Sequence, residues 1–508
     1  MKIISIANEL NHIAEFGTLT KAISMLTTMP FFASKESHGA KNILTFFLFL
    51  TTCIFAFFMF KNTSIIISIT CAIILCSIYF HQVFSRNSLK FMPSEAKLAA
   101  KTESINFSFE AIPLFAITLV GSSICAKSQD FLTLFIGIEM ISIPMYILLA
   151  FGGISTLCLV GKEKRQSTIN IEASLKVFSL GALSTAIFVF GASYIYGSLG
   201  SISFIATNKH ESQSADLLFQ IGISLVFVSI MFKLAIFPLH SWFVDMAKSC
   251  SEIVTLLVSG VPKLAICLVF AQAILPMMLT ANPSSSIIIT LLCCASMVFA
   301  PIMMLKTKSV IRLLAYSSTA NVSFLLAASP AYACQHGSCN NITLFFFATY
   351  IPSLICILCI LLKIKRTKED KTFEDIANFS QKNPIDAAIL SIGVLSLIGI
   401  PPLSGFFGKI SVMSSLANAA QTANIMPEWT IYLAILSSMF FIIVSGFAYF
   451  RILKAAYFSS FVPHANMEEK ILPQHYTEHN KMISLLGICS ALIIVTCGVW
   501  QWFFNLYQ

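Results

Sequence analysis

Apolar runs recur from residue 43 to residue 504, and each is close to the roughly 20 residues an α-helix needs to cross a bilayer. Lipid offers the backbone no hydrogen-bonding partner, so such segments must be helices or strands of a closed barrel. Barrel strands alternate apolar and polar residues over about 10 positions. The run at 286–304, SIIITLLCCASMVFAPIMM, is apolar on every side. The expected fold class is therefore an all-α polytopic membrane protein. Composition agrees: 57% of the residues are hydrophobic and 11% charged, with a mean hydropathy of +0.83, whereas soluble domains carry about 25% charged residues.

The pattern predicts 13 spans, at 43–60, 63–84, 110–127, 129–151, 173–197, 216–240, 253–275, 286–304, 309–330, 342–363, 384–417, 430–450 and 480–504. Residues 1–42 read as a tail, or as a degenerate fourteenth helix over 16–34. They lack the long apolar stretch before a small-residue cleavage site that marks a signal peptide. Lys and Arg set the orientation. With residue 1 inside, 25 of the 32 Lys and Arg residues fall inside, and only Lys61, Lys127 and Lys209 fall in outside loops. The net charge of +9 is thus a topology signal. No basic patch interleaved with aromatics appears in a polar segment, which argues against nucleic-acid binding.

Four cations remain, each within a span: Lys176, Lys233, Lys263 and Lys409. One carboxylate, Glu139, sits near the middle of span 129–151. An ionisable group at mid-membrane costs about 2.5–3.5 kcal/mol on insertion scales. Snorkelling to the interface is the plain alternative. It suits Lys176, three residues into its span, and fits Lys263, at the midpoint of 253–275, poorly. Arg312 stands at a span end and reads as an anchor. Burial lowers a lysine's proton affinity and a nearby carboxylate raises it, so a row of such groups makes a proton relay. Arginine stays charged and does not serve. Lys233 precedes Pro238 in MFKLAIFPLHSW (231–242), and Lys409 follows Pro402 in LIGIPPLSGFFGK (397–409). Proline breaks a helix, and matched breaks five spans apart suggest two inverted five-helix repeats, over 110–275 and 286–450. The remaining units are 43–109, with two helices, and 451–508, with an inside loop and the last helix.

These stretches also carry a resemblance. GIEMISIPMYIL (137–148), FKLAIFPLHSWFVD (232–245), VSGVPKLA (258–265), VIRLLAYSSTANVSFLL (310–326) and GIPPLSGFFGK (399–409) resemble, in order, the antiporter-like membrane subunits of respiratory complex I. The run at 172–201 is most similar to the subunit N branch, the counterpart of mitochondrial subunit 2. The resemblance covers about residues 110 to 455 and implies a fold of 14 helices with two inverted repeats, each with a broken helix. It implies that Glu139 pairs with Lys233, that Lys176 lies between them in the path, and that Lys263 and Lys409 are the central and terminal lysines. His240 matches a histidine near the water path; taken alone, a histidine at a helix end is more often structural. Glu172, four residues before Lys176, shares its helix face.

Three features depart from that pattern. Asn321 stands where the family usually has histidine, FVDMAKSCSEIVT replaces a Pro-rich turn, and the first family helix is not evident. The implied function is a proton-translocating subunit of NADH:quinone oxidoreductase, with no cofactor in this chain. NADH, FMN, iron–sulfur clusters and quinone would belong to partner subunits. The implied partners are other antiporter-like and small membrane subunits, in a bacterial inner (plasma) membrane or, alternatively, a mitochondrial inner membrane. A subunit of a multi-subunit cation/proton antiporter is the competing function; a structural scaffold would not need the buried charges. Cys356 and Cys359 form a CxxC within one span. An iron–sulfur site needs four ligands, so the pair reads as packing. Cys334 and Cys339 are candidates for a disulfide in an outside loop.

Overall fold

A computed structural model describes residues 111–155, 163–204, 217–250, 252–282, 284–332, 338–364, 371–377, 379–421, 427–458, 487–488 and 490–495. The segments 1–42 and 43–109, the Cys334–Cys339 pairing and most of the last span lie outside them. The described residues form helices: α1 (Ala111–Ala126), α2 (Phe131–Ser155), α3 (Glu163–Leu199), α4 (Leu217–Leu234), α5 (Ser241–Ser249), α6 (the span Glu252–Ala281, with a turn at Gly260 and a π-helical stretch over Phe270–Ile274), α7 (Ser285–Lys306), α8 (Val310–Ala327), α9 (Ser338–Lys363), α10 (Pro384–Ile398), α11 (Ser404–Gln421) and α12 (Glu428–Phe458). Among these residues there is no strand, only isolated bridges at Asp130–Ser203 and Ser309–Thr372. Eight of the described helices are long and apolar enough to cross a membrane. The central α6 is buried along its apolar length. Outer helices such as α3 and α12 leave large apolar side chains exposed, among them Leu183, Phe190, Leu436 and Phe447. That suits a chain whose surroundings are lipid or other subunits rather than water.

Two expected spans are interrupted helices. The span read over 216–240 stops as a helix at Leu234, where Ala235 takes a positive φ of 59°. It resumes as α5, in residues that lie between the expected spans 216–240 and 253–275. Five residues of α5, Trp242, Phe243, Val244, Met246 and Ala247, are buried, so this segment belongs to the bundle. The long span 384–417 is α10 and α11, separated at Gly399 (φ 88°). Both breaks hold cis X-Pro bonds, Phe237–Pro238 and Pro401–Pro402.

Small residues set the helix spacing, as is common where packing rather than the hydrophobic effect drives association in lipid. A Cβ on Gly191 of α3 would come within 2.7 Å of the Gly222 carbonyl oxygen of α4, and one on Gly222 within 2.8 Å of the Gly191 oxygen. Nearby, Ser229 Oγ donates to the Ser184 carbonyl at 2.8 Å. The atoms in the way belong to helix backbones, which cannot swing aside. Gly191→Ala is therefore expected to cost about 1–3 kcal/mol, as overpacking does. The check is a lower thermal midpoint and lower yield of assembled protein from membranes; an unchanged midpoint would mean that α3 and α4 separate freely.

One end of the bundle, which the charge distribution assigns to the inside, is tied by ion pairs and caps. Arg451 donates to the last carbonyls of α7, at Leu305 (2.6 Å) and Met304 (3.2 Å), and to Thr307 (2.9 Å). These oxygens have no intrahelical partner, and a cation there also meets the negative end of the helix dipole. Lys363 pairs with Asp386 at 2.8 Å, joining α9 to the first turn of α10.

Candidate functional site

The double proline explains where Lys409 goes. In a continuous helix the carbonyls of Leu397 and Ile398 would accept from the N–H groups of residues 401 and 402. Both are proline and have no N–H. Lys409 Nζ donates to these two oxygens, at 2.7 Å and 2.9 Å. Its stem lies against Gly399, where a Cβ would stand 3.1 Å from Lys409 Cδ, and its amine is 5.3 Å from the Phe441 ring centroid. The break thus makes both the space and the acceptors for a buried amine.

The first break works similarly. The Phe232 carbonyl is taken by the Trp242 indole N–H at 3.0 Å, which ties α4 to α5 across the gap. Lys233 lies on the last turn of α4 and donates to Ser142 Oγ of α2 at 2.9 Å. Glu139 lies one turn from Ser142 on α2 and accepts from Thr185 Oγ1 of α3 at 2.8 Å. The structure therefore brings Glu139 and Lys233 to one place on α2, each held by a hydroxyl instead of by the other. His240 is buried in the break, with its ring 5.7 Å from that of Phe237, 4.9 Å from Phe299 and 6.1 Å from Tyr316. Its Nδ1 makes no hydrogen bond.

Lys263 occupies the middle of the central helix and is 2% exposed. It donates to Ser318 Oγ of α8 at 2.9 Å, and its amine is 3.8 Å above the Phe243 ring. Phe243 belongs to α5, so the half-helix beyond the first break touches the central lysine directly. Asn321 is buried one turn along α8, donating from Nδ2 to the Ser317 carbonyl at 2.8 Å and to Ser317 Oγ at 3.3 Å. Ser317 Oγ is also hydrogen-bonded to the Tyr449 hydroxyl.

Lys176 is not brought into this row. Its side chain is 66% exposed and pairs with the similarly exposed Glu172 at 2.5 Å. As an i,i+4 pair on the surface of α3 it matches the snorkelling reading of the sequence. The buried pair Lys371–Glu252 was not singled out by the sequence. Lys371 Nζ is 3.0 Å from Glu252 Oε1, with side chains 4% and 0% exposed, and it also donates to the Leu361 carbonyl. In the sequence both residues look like ordinary loop charges at span ends; only their meeting distinguishes them. Cys356 and Cys359 are buried and form no disulfide; Cys356 lies 3.0 Å from Ser490 Oγ.

Residues 128–440 match the family described as NADH:quinone oxidoreductase/Mrp antiporter, TM. The chain is 27% identical over 402 residues to NADH-quinone oxidoreductase subunit N of Cupriavidus taiwanensis, covering 77% of each chain. It is 29% identical over 354 residues to the subunit N of Neisseria gonorrhoeae, covering 69% of this chain and 68% of that one. A chain of the respiratory complex I of Thermus thermophilus has the same fold, with a TM-score of 0.68, 19% identity and 96% of each chain covered. A chain of the Mrp complex of Dietzia sp. is equally close, with a TM-score of 0.69 and 15% identity, covering 97% of this chain and 95% of that one. The match over the broken helices and the lysines they carry places this chain in the NADH:quinone oxidoreductase/Mrp antiporter family of membrane subunits.

Proposed function

We propose that the chain is the subunit N of a bacterial NADH:quinone oxidoreductase and moves protons across the membrane. The observation that carries this is the set of lysines Lys233, Lys263 and Lys409 at two helix breaks and the central helix. Each amine rests on hydroxyl or carbonyl oxygens and not on a carboxylate. Neutral acceptors leave such an amine free to change partners, whereas a tight ion pair would fix it in place. The Thermus and Dietzia chains share the fold equally, so the fold does not separate the oxidoreductase from the antiporter. The curated relatives do, since those named above are subunits N.

Glu139 on α2 lies one turn from Ser142, the hydroxyl that holds Lys233 of α4, so the two can exchange their hydroxyl partners for each other. Redox chemistry in partner subunits, which would hold FMN, iron–sulfur clusters and the NADH and quinone sites, drives that exchange. The altered field, together with any shift of α5, reaches Lys263 through Phe243 and then Lys409. Moving one charge against 100 mV requires about 2.3 kcal/mol, comparable to a change of about two pKa units at a relay site. His240 lines the first break beside this path. Lys176, paired with Glu172 at the surface of α3, joins the row only if a neighbouring subunit covers it.

The test is purification from native membranes and reconstitution into vesicles. The expected result is co-purification with an NADH-oxidising arm containing flavin and iron–sulfur absorbance, and NADH-driven proton movement that an uncoupler abolishes. Co-purification with other antiporter subunits and no redox centre would overturn the reading.

A further inference from the structure

Between Lys263 and Lys409 one buried polar atom lacks a partner. The Tyr350 hydroxyl on α9 makes no hydrogen bond, although the side chain is only 4% exposed. It faces the Ser317 and Ser318 hydroxyls of α8, with geometry that satisfies a hydrogen bond to neither. Ser318 is the residue that accepts from Lys263. One turn along α9, Ser353 Oγ donates to Ser396 Oγ of α10 at 2.8 Å. Ser396 immediately precedes Leu397, whose carbonyl accepts from Lys409. Thr349, next to Tyr350, packs on Gly408, next to Lys409: a Cβ on Gly408 would meet Thr349 Oγ1 at 2.4 Å. Polar groups thus lie beside the central lysine and beside the carbonyl that holds the terminal one, and the phenol stands between the two sets.

We propose that Tyr350 is the proton-carrying link between Lys263 and Lys409. The inference rests on the proton-translocation reading above. A phenol both donates and accepts, and a buried hydroxyl left unsatisfied is tolerated mainly where it has work to do. The transfer balances as follows. The Lys263 ammonium gives a proton to Ser318 Oγ as Ser318 gives its own hydroxyl proton to the Tyr350 oxygen. Tyr350 in turn releases its phenolic proton through a bridging water to the Ser353 and Ser396 hydroxyls, and a second water carries a proton from Ser396 to the neutral amine of Lys409. Each hydroxyl gains one proton and loses one, so all end neutral. The net change is a neutral Lys263 and a protonated Lys409. Rotation of the hydroxyls about their C–O bonds resets the chain.

Tyr350→Phe in the complete complex removes one oxygen and keeps the ring, which packs on Phe346 and Phe347 with centroids 6.2 Å and 6.1 Å away. Proton pumping per vesicle is expected to fall about tenfold, the kinetic equivalent of one lost buried hydrogen-bonding group. Complex assembly and thermal midpoint should hold or rise, since an unsatisfied buried atom has been removed. Tyr350→His, which again offers a donor and an acceptor, should recover part of the rate. Pumping at the wild-type rate in Tyr350→Phe would overturn the proposal, as would a loss matched by lower assembly or midpoint. Lys263→Met, measured alongside, separates the two levels. If it too pumps normally, the proton-translocation reading fails; if it stops while Tyr350→Phe pumps normally, only the role of Tyr350 is lost.

Discussion

Lys263→Met is expected to stop proton translocation in an otherwise assembled complex. Methionine has a similar length and flexibility and fills irregular apolar space well, so α6 keeps its packing. The variant loses the bond to Ser318 and the contact with the Phe243 ring. The first loss leaves a hydroxyl that can turn to another acceptor. The second removes a cation–π contact worth about 0.5–2 kcal/mol. Neither threatens a helix buried along its whole apolar length. The loss of the titratable amine is different in kind, because methionine cannot hold and release a proton in its place. Positioned proton-transfer groups contribute about 10²–10⁴ in rate, so pumping should fall at least about a hundredfold.

Lys263→Arg is the sharper variant. Arginine preserves the positive charge and the cation–π contact but stays protonated. If Lys263 is a relay site, the Arg variant should pump as poorly as the Met variant. If the amine is only a fixed charge that orients α5 through Phe243, Arg should pump normally. Proton movement is measured with a pH-sensitive dye in vesicles and normalised to the flavin content of the complex. Wild-type stoichiometry in Lys263→Arg would remove the relay from the account.

The part of this site that is legible in the sequence is the part set by local rules. A proline must leave its i−4 carbonyl without an N–H, so Pro401 and Pro402 announce two free oxygens at Leu397 and Ile398. A lysine one or two turns further on is the natural group to satisfy them. Lys263 is similarly plain, since a cation in the middle of an apolar run has few places to go. What the sequence does not carry is partnership across the bundle. The resemblance suggests that Glu139 meets Lys233, but the structure holds them on Thr185 and Ser142, two hydroxyls among many in the spans. Apolar periodicity also misplaces α5. Its Asp245 and Lys248 break the run, and only the tertiary fold shows that its other face is buried. Tyr350 is invisible for the same reason: an unpartnered hydroxyl is defined by what surrounds it, not by what precedes it.

The pair Lys371–Glu252 gives the largest expected effect on stability. Both side chains are almost fully buried, so solvent screens their attraction little. The two residues are more than a hundred positions apart in the chain and join the start of α6 to the segment between α9 and α10. Glu252 stands in the first turn of α6, where the helix dipole also favours a carboxylate. Lys371→Met takes the Lys371 counter-charge away from that buried carboxylate, a change of a kind that costs about 3–5 kcal/mol. Glu252→Gln in the same chain removes the charge left behind, and the double variant should recover most of the loss. The measurement is a double-mutant cycle on the thermal midpoint and yield of the purified complex. A double-variant loss equal to the sum of the two single losses would mean that the pair is not coupled. Lys263 lies eleven residues beyond Glu252 in the same span, across a turn at Gly260 whose carbonyl still accepts from the Leu264 N–H. A pair that fixes the start of α6 therefore also fixes the height of the central lysine relative to Ser318. Lys371→Met should accordingly weaken coupling between NADH oxidation and proton movement in whatever complex survives assembly, and the double variant should restore coupling together with stability.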